Sequence, residues 1–399
     1  MVYSAFFISL IHLTGRGVKL EDCKVGIDRI ICKDLEIKQV NIELLRSKGF
    51  IVIQDEKCIR ILKDDGGKDT YISYIRVSKE QDNTLLINDL KIGRLKKETN
   101  IFNGMVDYEH LNITLPKGIS KTRTNENNIS NTDDLMQSIK AVQDELEGLG
   151  FGVVNILNTE LKEIEINVNV DLKKPFKEYE KVLSYLQDLL PKRLKSEVNN
   201  NHKPKDRYTG FQSGNKSINI KMYDKRANIW KKTGQEIGKE RLRIEYSLLN
   251  EQKIKDVFGS NKLNEIVADE FELIDKAFKR LLQADLLNNL YKDIDKQLKH
   301  ATKEIGRYKA TKTKLSGQEY IFDNDILDIE IVLGALKENT SKGNYSRECK
   351  TLISRCIEGK QIELFGNIEK LNEILEVLGQ EKVDIRMSNH IRKQINKYC

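Results

Sequence analysis

The chain has 399 residues, of which 39% are hydrophobic and 32% are charged, a composition that excludes disordered and fibrous proteins and indicates a soluble chain of two or three domains. Its six cysteines form no Cys-x-x-Cys pair, which argues against a zinc site or a disulfide framework and indicates a reducing cytoplasm. The net charge of +7 is uneven, because Lys and Arg outnumber Asp and Glu by fifteen to five between residues 191 and 243. This basic block predicts either one face for a polyanion or a solvated loop.

The opening segment, residues 2–13, is apolar but only about half as long as the roughly 20 residues that span a membrane. It has no basic flank and no small-residue cleavage site, so a signal peptide is rejected. A strand, or a start codon placed upstream of the true one, is the better interpretation. We therefore expect no membrane association.

The following segments have the composition of strands, at residues 26–37, 50–62, 70–77, 84–92 and 110–115. Helices are predicted over residues 133–149 and 176–190, and further strands over 163–171, 217–223 and 241–248. Beyond about residue 255 the chain has no proline, and apolar residues recur at helical spacing, as in Phe271, Ile274, Phe278, Leu281 and Leu282 and again in Ile368, Leu371, Leu375 and Leu378. Gly379 then predicts a helix C-cap. The pattern predicts an α+β core followed by helices.

Four of these strands alternate apolar and polar residues, so each would place its polar set on one side of a sheet. The polar sets are Glu163, Glu165, Asn167, Asn169 and Asp171; Asn219, Lys221 and Tyr223; Arg241, Arg243, Glu245 and Ser247; and His110, Asn112 and Thr114. If the four strands share one sheet, a single face presents carboxylates, basic groups and one tyrosine. A half-exposed sheet with ordinary polar residues would explain any one strand alone.

Residues 210–229 (GFQSGNKSINIKMYDKRANI) and 241–248 (RLRIEYSL) resemble the rolling-circle replication initiators. The likeness is to the phage and plasmid replication proteins related to the filamentous-phage gene II initiator and the Rep-trans plasmid initiators. That family has a strand ending in Tyr-x-Lys, here Tyr223 and Lys225, and then an Arg-x-Glu strand, here Arg243 and Glu245. The acidic residue of an earlier strand falls on Glu165, where the family more often has aspartate.

The resemblance covers about residues 26–255. It implies an N-terminal extension (1–25), an α+β initiator domain (26–254) and a helical C-terminal domain (255–399). The core would be an antiparallel-rich sheet of the duplicated ferredoxin or RRM-like type, with helices on one face. The histidine-hydrophobe-histidine metal motif of related nucleases is absent, and this subfamily is thought to use carboxylates instead.

The chemistry that the resemblance implies is attack of Tyr223 on a phosphodiester, which leaves a 5′-phosphotyrosine and a free 3′-hydroxyl. Mg²⁺ or Mn²⁺ would be held by Glu165 and Glu245, with Asn167 as a further ligand and Asn112 and His110 as weaker candidates. Lys225 and Arg243 would neutralise charge on the phosphate. Alternatively, these two cations pair with the glutamates across the strands.

Tyr208 is the rival nucleophile, or a residue that stacks on a base of single-stranded DNA. Residues expected to bind DNA phosphates are Lys203, Lys205, Arg207, Lys216, Lys221, Lys231 and Lys232. A short helix within residues 388–398, carrying Arg392, Lys393 and Lys397, would either read duplex DNA or close the core. The expected partners are replication-origin DNA, a host helicase and a second copy of the chain. A conjugative relaxase, a non-catalytic DNA-binding protein and a protein-interaction module remain alternatives.

Overall fold

The structure, a computed structural model, describes residues 24–32, 35–47, 50–54, 58–64, 70–81, 84–90, 94–95, 111–113, 128–148, 151–154, 156–194, 199–200, 209–234, 236–310, 320–321, 326–387 and 389–395. Within these ranges the chain combines two antiparallel sheets with many helices. The α+β class predicted from the sequence is confirmed. The duplicated ferredoxin-like arrangement stays a prediction.

The strands in chain order are β1 (Gly26–Cys32), β2 (Leu35–Val40), β3 (Phe50–Gln54), β4 (Cys58–Asp64), β5 (Thr70–Gln81), β6 (Thr84–Leu90), β7 (Arg94–Leu95), β8 (Leu111–Ile113), β9 (Phe151–Val154), β10 (Leu161–Asp171), β11 (Asn199–Asn200), β12 (Gly210–Gly214), β13 (Ile218–Asp224) and β14 (Arg241–Leu248). One sheet has the order β11-β12-β13-β14-β10-β1-β8. The other has the order β3-β4-β5-β6-β2-β9, with β7 paired to β5.

The helices are α1 (Ile42–Ser47), α2 (Thr132–Gly148), α3 (Glu180–Asp188), α4 (Lys225–Thr233), α5 (Glu251–Phe258), α6 (Leu263–Ile266), α7 (Glu272–Leu282), α8 (Asn288–Ala310), α9 (Ile329–Asn339), α10 (Lys342–Glu358), α11 (Asn367–Val377) and α12 (Asn389–Ile395). The apolar sets predicted near residues 271–282 and 368–378 are buried in and beside α7 and α11. Gly379 follows α11 with a φ of 64°, as a C-cap glycine does. No helix in the described ranges is long and apolar enough to cross a membrane.

The four strands with alternating polar residues do share the first sheet, with β8 at its edge beside β1. On the apolar side, residues such as Ile166, Ile244 and Ile220 are fully buried. Helices α5 and α7 contact β10 there, and the rings of Tyr246 and Phe278 meet edge to face with centroids 5.6 Å apart. Helices cover the apolar side of the sheet, and the alternation places the polar side chains on the other side. A functional site on this sheet would therefore lie on its polar side.

Two predicted strands are wrong in their extent. Residues 26–37 form two strands, β1 and β2, which belong to different sheets, and residues 50–62 form the pair β3 and β4. Apolar composition alone does not show where one strand ends and the next begins. The boundary predicted between residues 254 and 255 falls inside α5, and the domain division stays a prediction. The predicted N-terminal extension lies almost entirely outside the described residues.

Candidate active site

Tyr223 stands next to last in β13, and local features fix its position. Asp224 ends the strand and caps α4, its Oδ1 accepting a hydrogen bond from the Ala227 amide at 2.9 Å. Across the sheet edge, Gly210 of β12 pairs with Tyr223. A Cβ at Gly210 would lie 2.0 Å from the Met222 carbonyl oxygen, and its φ is 108°, so only glycine fits there. The helix cap after Tyr223 and the close contact with Gly210 on the neighbouring strand together fix the position of the Tyr223 backbone.

The register brings Tyr223 beside a group of carboxylates. Its hydroxyl donates a hydrogen bond to Glu245 Oε2 at 3.2 Å. Carboxylate oxygens of Glu245, Glu165 and Asp28 all lie within 4.8 Å of one another. Three oxygen ligands at this separation form a set that suits a hard divalent cation such as Mg²⁺ or Mn²⁺.

Asp28 is the member of the carboxylate cluster that the sequence reasoning missed. The β1–β10 register shifts between Ile27 and Arg29, so Asp28 sits in an irregularity of the strand. Its side chain is buried with the glutamates although it does not belong to any of the four alternating strands. The available signal was an acidic residue inside the largely apolar strand Gly26–Cys32, where burial requires a partner.

Asn167 adds a fourth oxygen on the same face, opposite Glu245 in the β10–β14 register. The side chain is fully buried, and neither its Oδ1 nor its Nδ2 has a hydrogen-bond partner among the residues described. A buried amide without partners is costly and calls for a ligand or a water. The three carboxylates and this amide together fit a Mg²⁺ or Mn²⁺ site.

Three cations lie among these acids. Lys221 Nζ lies 2.5 Å from Glu245 Oε1 and 3.2 Å from Glu165 Oε1. Arg29 lies 3.7 Å from Glu165 and 3.2 Å from Glu163. Arg243, fully buried, donates to Asp28 Oδ1 at 3.1 Å and to Asn169 Oδ1 at 2.8 Å. The cluster is therefore compensated in charge by the protein itself, which is what allows three carboxylates to share one buried face.

The environment shifts several pKa values. Burial, followed by the Glu245 charge, raises the pKa of Tyr223 well above its usual value, with Arg243 opposing. Burial and then Glu245 raise the pKa of Glu165, while Lys221 and Arg29 oppose. For Lys221, burial favours the neutral form, but Glu245 and Glu165 outweigh it and raise the pKa. The tyrosine therefore stays protonated at neutral pH unless a base or a cation activates it.

The remaining predicted residues lie in different surroundings. Lys225 was expected to face the site if the strand continued, but α4 begins at that residue, whose side chain is fully buried. Lys216 and Lys231 are exposed, whereas Lys221 is engaged by the glutamates. Arg392, on α12, pairs with Asp384 at 3.0 Å. Outside the described residues lie Lys203, Lys205, Arg207, Tyr208, His110 and Lys397, and the side chains of Asn112 and Lys232.

No family model matches this sequence, and no curated protein matches it. Among solved structures, the chain is similar to a rolling circle replication initiator protein from Geobacillus stearothermophilus, with 12% sequence identity and a TM-score of 0.28. The match covers 66% of this chain and 85% of that one. The sequence of residues 210–248 resembles the same general class of protein. A structural similarity with a TM-score this low carries no argument about activity.

Proposed function

We propose that this protein is a divalent-metal-dependent DNA-nicking enzyme of the rolling-circle initiator type, with Tyr223 as its nucleophile. The observation that carries the proposal is the hydrogen bond from the Tyr223 hydroxyl to Glu245, a member of the three-carboxylate cluster. Covalent phosphoryl transfer to a tyrosine needs a hydroxyl that is hydrogen-bonded to a proton acceptor and lies beside oxygen ligands for a metal.

Glu245 Oε2 already accepts the phenol hydrogen bond and is positioned to take the proton. The Tyr223 oxygen then forms a bond to phosphorus, and the bond from phosphorus to the 3′-oxygen breaks. The 3′-oxygen takes up a proton and leaves as a hydroxyl, while the 5′ side stays on the tyrosine. The positive charge of the buried Arg243 stabilises the phenolate, because Arg243 is a neighbour that lowers the pKa of Tyr223.

Asp28, Glu165, Glu245 and Asn167 are the residues that would hold the metal. A bound Mg²⁺ or Mn²⁺ would polarise the phosphate oxygens and favour the phenolate form of the tyrosine. Lys221 would compete for the same carboxylates, since its ammonium contacts two of them. The hydroxyl of Ser247 also donates to Glu165 Oε1 at 3.2 Å and helps to orient that side chain.

The test uses supercoiled plasmids carrying candidate origins, with Mg²⁺ or Mn²⁺, and measures protein covalently linked to DNA. Tyr223→Phe removes one hydroxyl and should abolish both the nick and the adduct while leaving DNA binding intact. Tyr208→Phe is the matched variant, and it should retain both. An adduct that persists in Tyr223→Phe and disappears in Tyr208→Phe would refute the proposal.

A non-catalytic DNA-binding protein on the same sheet is the second candidate. The observation that favours it is the pairing of Lys221 with Glu165 and Glu245, which would neutralise the face without any metal. The same experiment separates the two candidates. Binding that is unaffected by EDTA, with no nick and no adduct on any origin, would support the second.

A further inference from the structure

Trp230 is the single tryptophan of the chain, and it is 55% exposed on α4. Large apolar side chains so exposed are few in the described ranges, the others being Met136 and Ile362. The indole ring makes no ring contact or hydrogen bond with any residue that the structure describes. Tryptophan is highly buried on average and is enriched at interfaces, so an exposed indole ring is available to contact a ligand.

The helix that carries Trp230 is the one that follows the nucleophile strand. Helix α4 starts two residues after Tyr223, and the Cα atoms of Tyr223 and Trp230 are separated by at most about 16 Å, from the spacing of residues in extended chain and helix. Asp224 caps the start of the helix. At its end, Gly234 has a φ of 69° and donates its amide hydrogen to the Trp230 carbonyl at 2.8 Å. The ring is therefore carried by a short, doubly capped element.

The helix that carries the ring also bears lysines. Lys231, the next residue, is exposed, and the helix lies within the basic block of residues 191–243. Ile229, the residue before the tryptophan, is buried and anchors the helix to the protein. An exposed aromatic ring among cations is the arrangement by which proteins bind single strands, since the ring stacks on a base and the cations contact phosphates.

We propose that Trp230 is a stacking platform for a base of single-stranded DNA, a few nucleotides from the phosphate that Tyr223 attacks. This proposal depends on the proposed function for the identity of the ligand. It adds a contact that positions the strand and does not take part in the chemistry. Because every base has a π-face, the contact would be nearly independent of sequence.

The test exploits the presence of one tryptophan, whose fluorescence reports this position alone. Full-length Tyr223→Phe protein, which cannot cleave, is titrated with oligo(dT) and with an abasic oligomer of equal length, and binding is followed in parallel by anisotropy of a labelled strand. Oligo(dT) should quench the fluorescence saturably, and the abasic strand should bind without quenching it. Trp230→Ala should weaken oligo(dT) binding by about 5- to 150-fold, with Trp230→Phe recovering most of the loss. Met136→Ala, which removes another exposed apolar side chain, should bind normally.

The outcomes separate this proposal from the proposed function. Binding without quenching, equal quenching by both oligomers, or full affinity in Trp230→Ala would overturn the stacking role alone. Quenching by oligo(dT), together with a wild-type protein that forms no adduct, would overturn nicking alone. Absence of any single-strand binding by anisotropy would overturn both.

Discussion

Lys221 offers the sharpest test of the charge arrangement in the candidate site. Its ammonium contacts Glu245 and Glu165, and its side chain is only 24% exposed. Lys221→Met keeps the length of the side chain and removes the charge, which leaves two neighbouring carboxylates with Asp28 close by. Breaking a buried pair typically costs about 3–5 kcal/mol. Arg29 still lies 3.7 Å from Glu165, so we expect a smaller loss, about 2–3 kcal/mol at pH 8.

The loss should depend on pH in a defined direction. The pKa of Glu165 is already raised by burial and by Glu245, and removing Lys221 takes away a group that lowers it. A carboxyl group with a raised pKa in the folded state contributes stability at low pH that is lost as pH rises through that pKa. The cost of Lys221→Met should therefore be smallest near pH 5 and grow towards pH 8.

The assay is urea denaturation of wild type and Lys221→Met at both pH values, with and without Mn²⁺. If the carboxylates hold a cation, Mn²⁺ should stabilise the variant more than the wild type, because no ammonium competes for the ligands. The control is Lys231→Met, which removes an exposed lysine and should change stability by less than about 0.5 kcal/mol. A Lys221 variant as stable as wild type at pH 8 would refute the reasoning.

Two further predictions concern other parts of the fold. Burial, then the charge of Asp328, raises the pKa of Glu330 to about 8, so wild-type stability should fall as pH rises from the usual pKa of a glutamate towards that value and level off above it. Glu330→Gln should flatten this slope and stabilise the protein on the order of 2 kcal/mol at pH 9, and an unchanged slope in denaturation curves would contradict this. Gly210→Ala should destabilise by at least about 2 kcal/mol because its Cβ would meet backbone, whereas Gly234→Ala, with open space around it, should cost only about 1 kcal/mol; equal costs for the two would show that the backbone at Gly210 relaxes.

The sequence was informative wherever one physical rule acts alone. Period-2 alternation placed Glu165, Glu245 and Tyr223 on one face, and helical spacing identified α7 and α11. The prediction from sequence failed where a local irregularity interrupts the alternation of polar and apolar residues. Asp28 sits at a shift of register, which no alternation reveals. Lys225 was expected to face the site only if the strand predicted over residues 217–223 continued, and Asp224 instead caps a helix that begins at Lys225.

The second sheet was not foreseen as a separate unit, because strand pairing between distant residues leaves no local signal. Residues of β2 and β9 pair although more than a hundred positions separate them. The polar cluster of the first sheet is equally non-local. Composition and periodicity predict that strands exist, but the order of strands in a sheet depends on contacts that only the folded chain defines.

The candidate site is assembled from residues at opposite ends of the first sheet's sequence, since Asp28 lies on β1 and Glu245 on β14. The apolar side of this sheet is covered by helices that follow β14 in the sequence, such as α7, whose Phe278 packs on Tyr246. During synthesis on the ribosome, the carboxylates cannot meet until β14 has emerged, and the sheet stays uncovered until α7 follows. A chain that ends between β13 and β14 would thus carry Tyr223, Asp28 and Glu165 without Glu245, the hydrogen-bond acceptor of the tyrosine, so the candidate site would be complete only once β14 has been made.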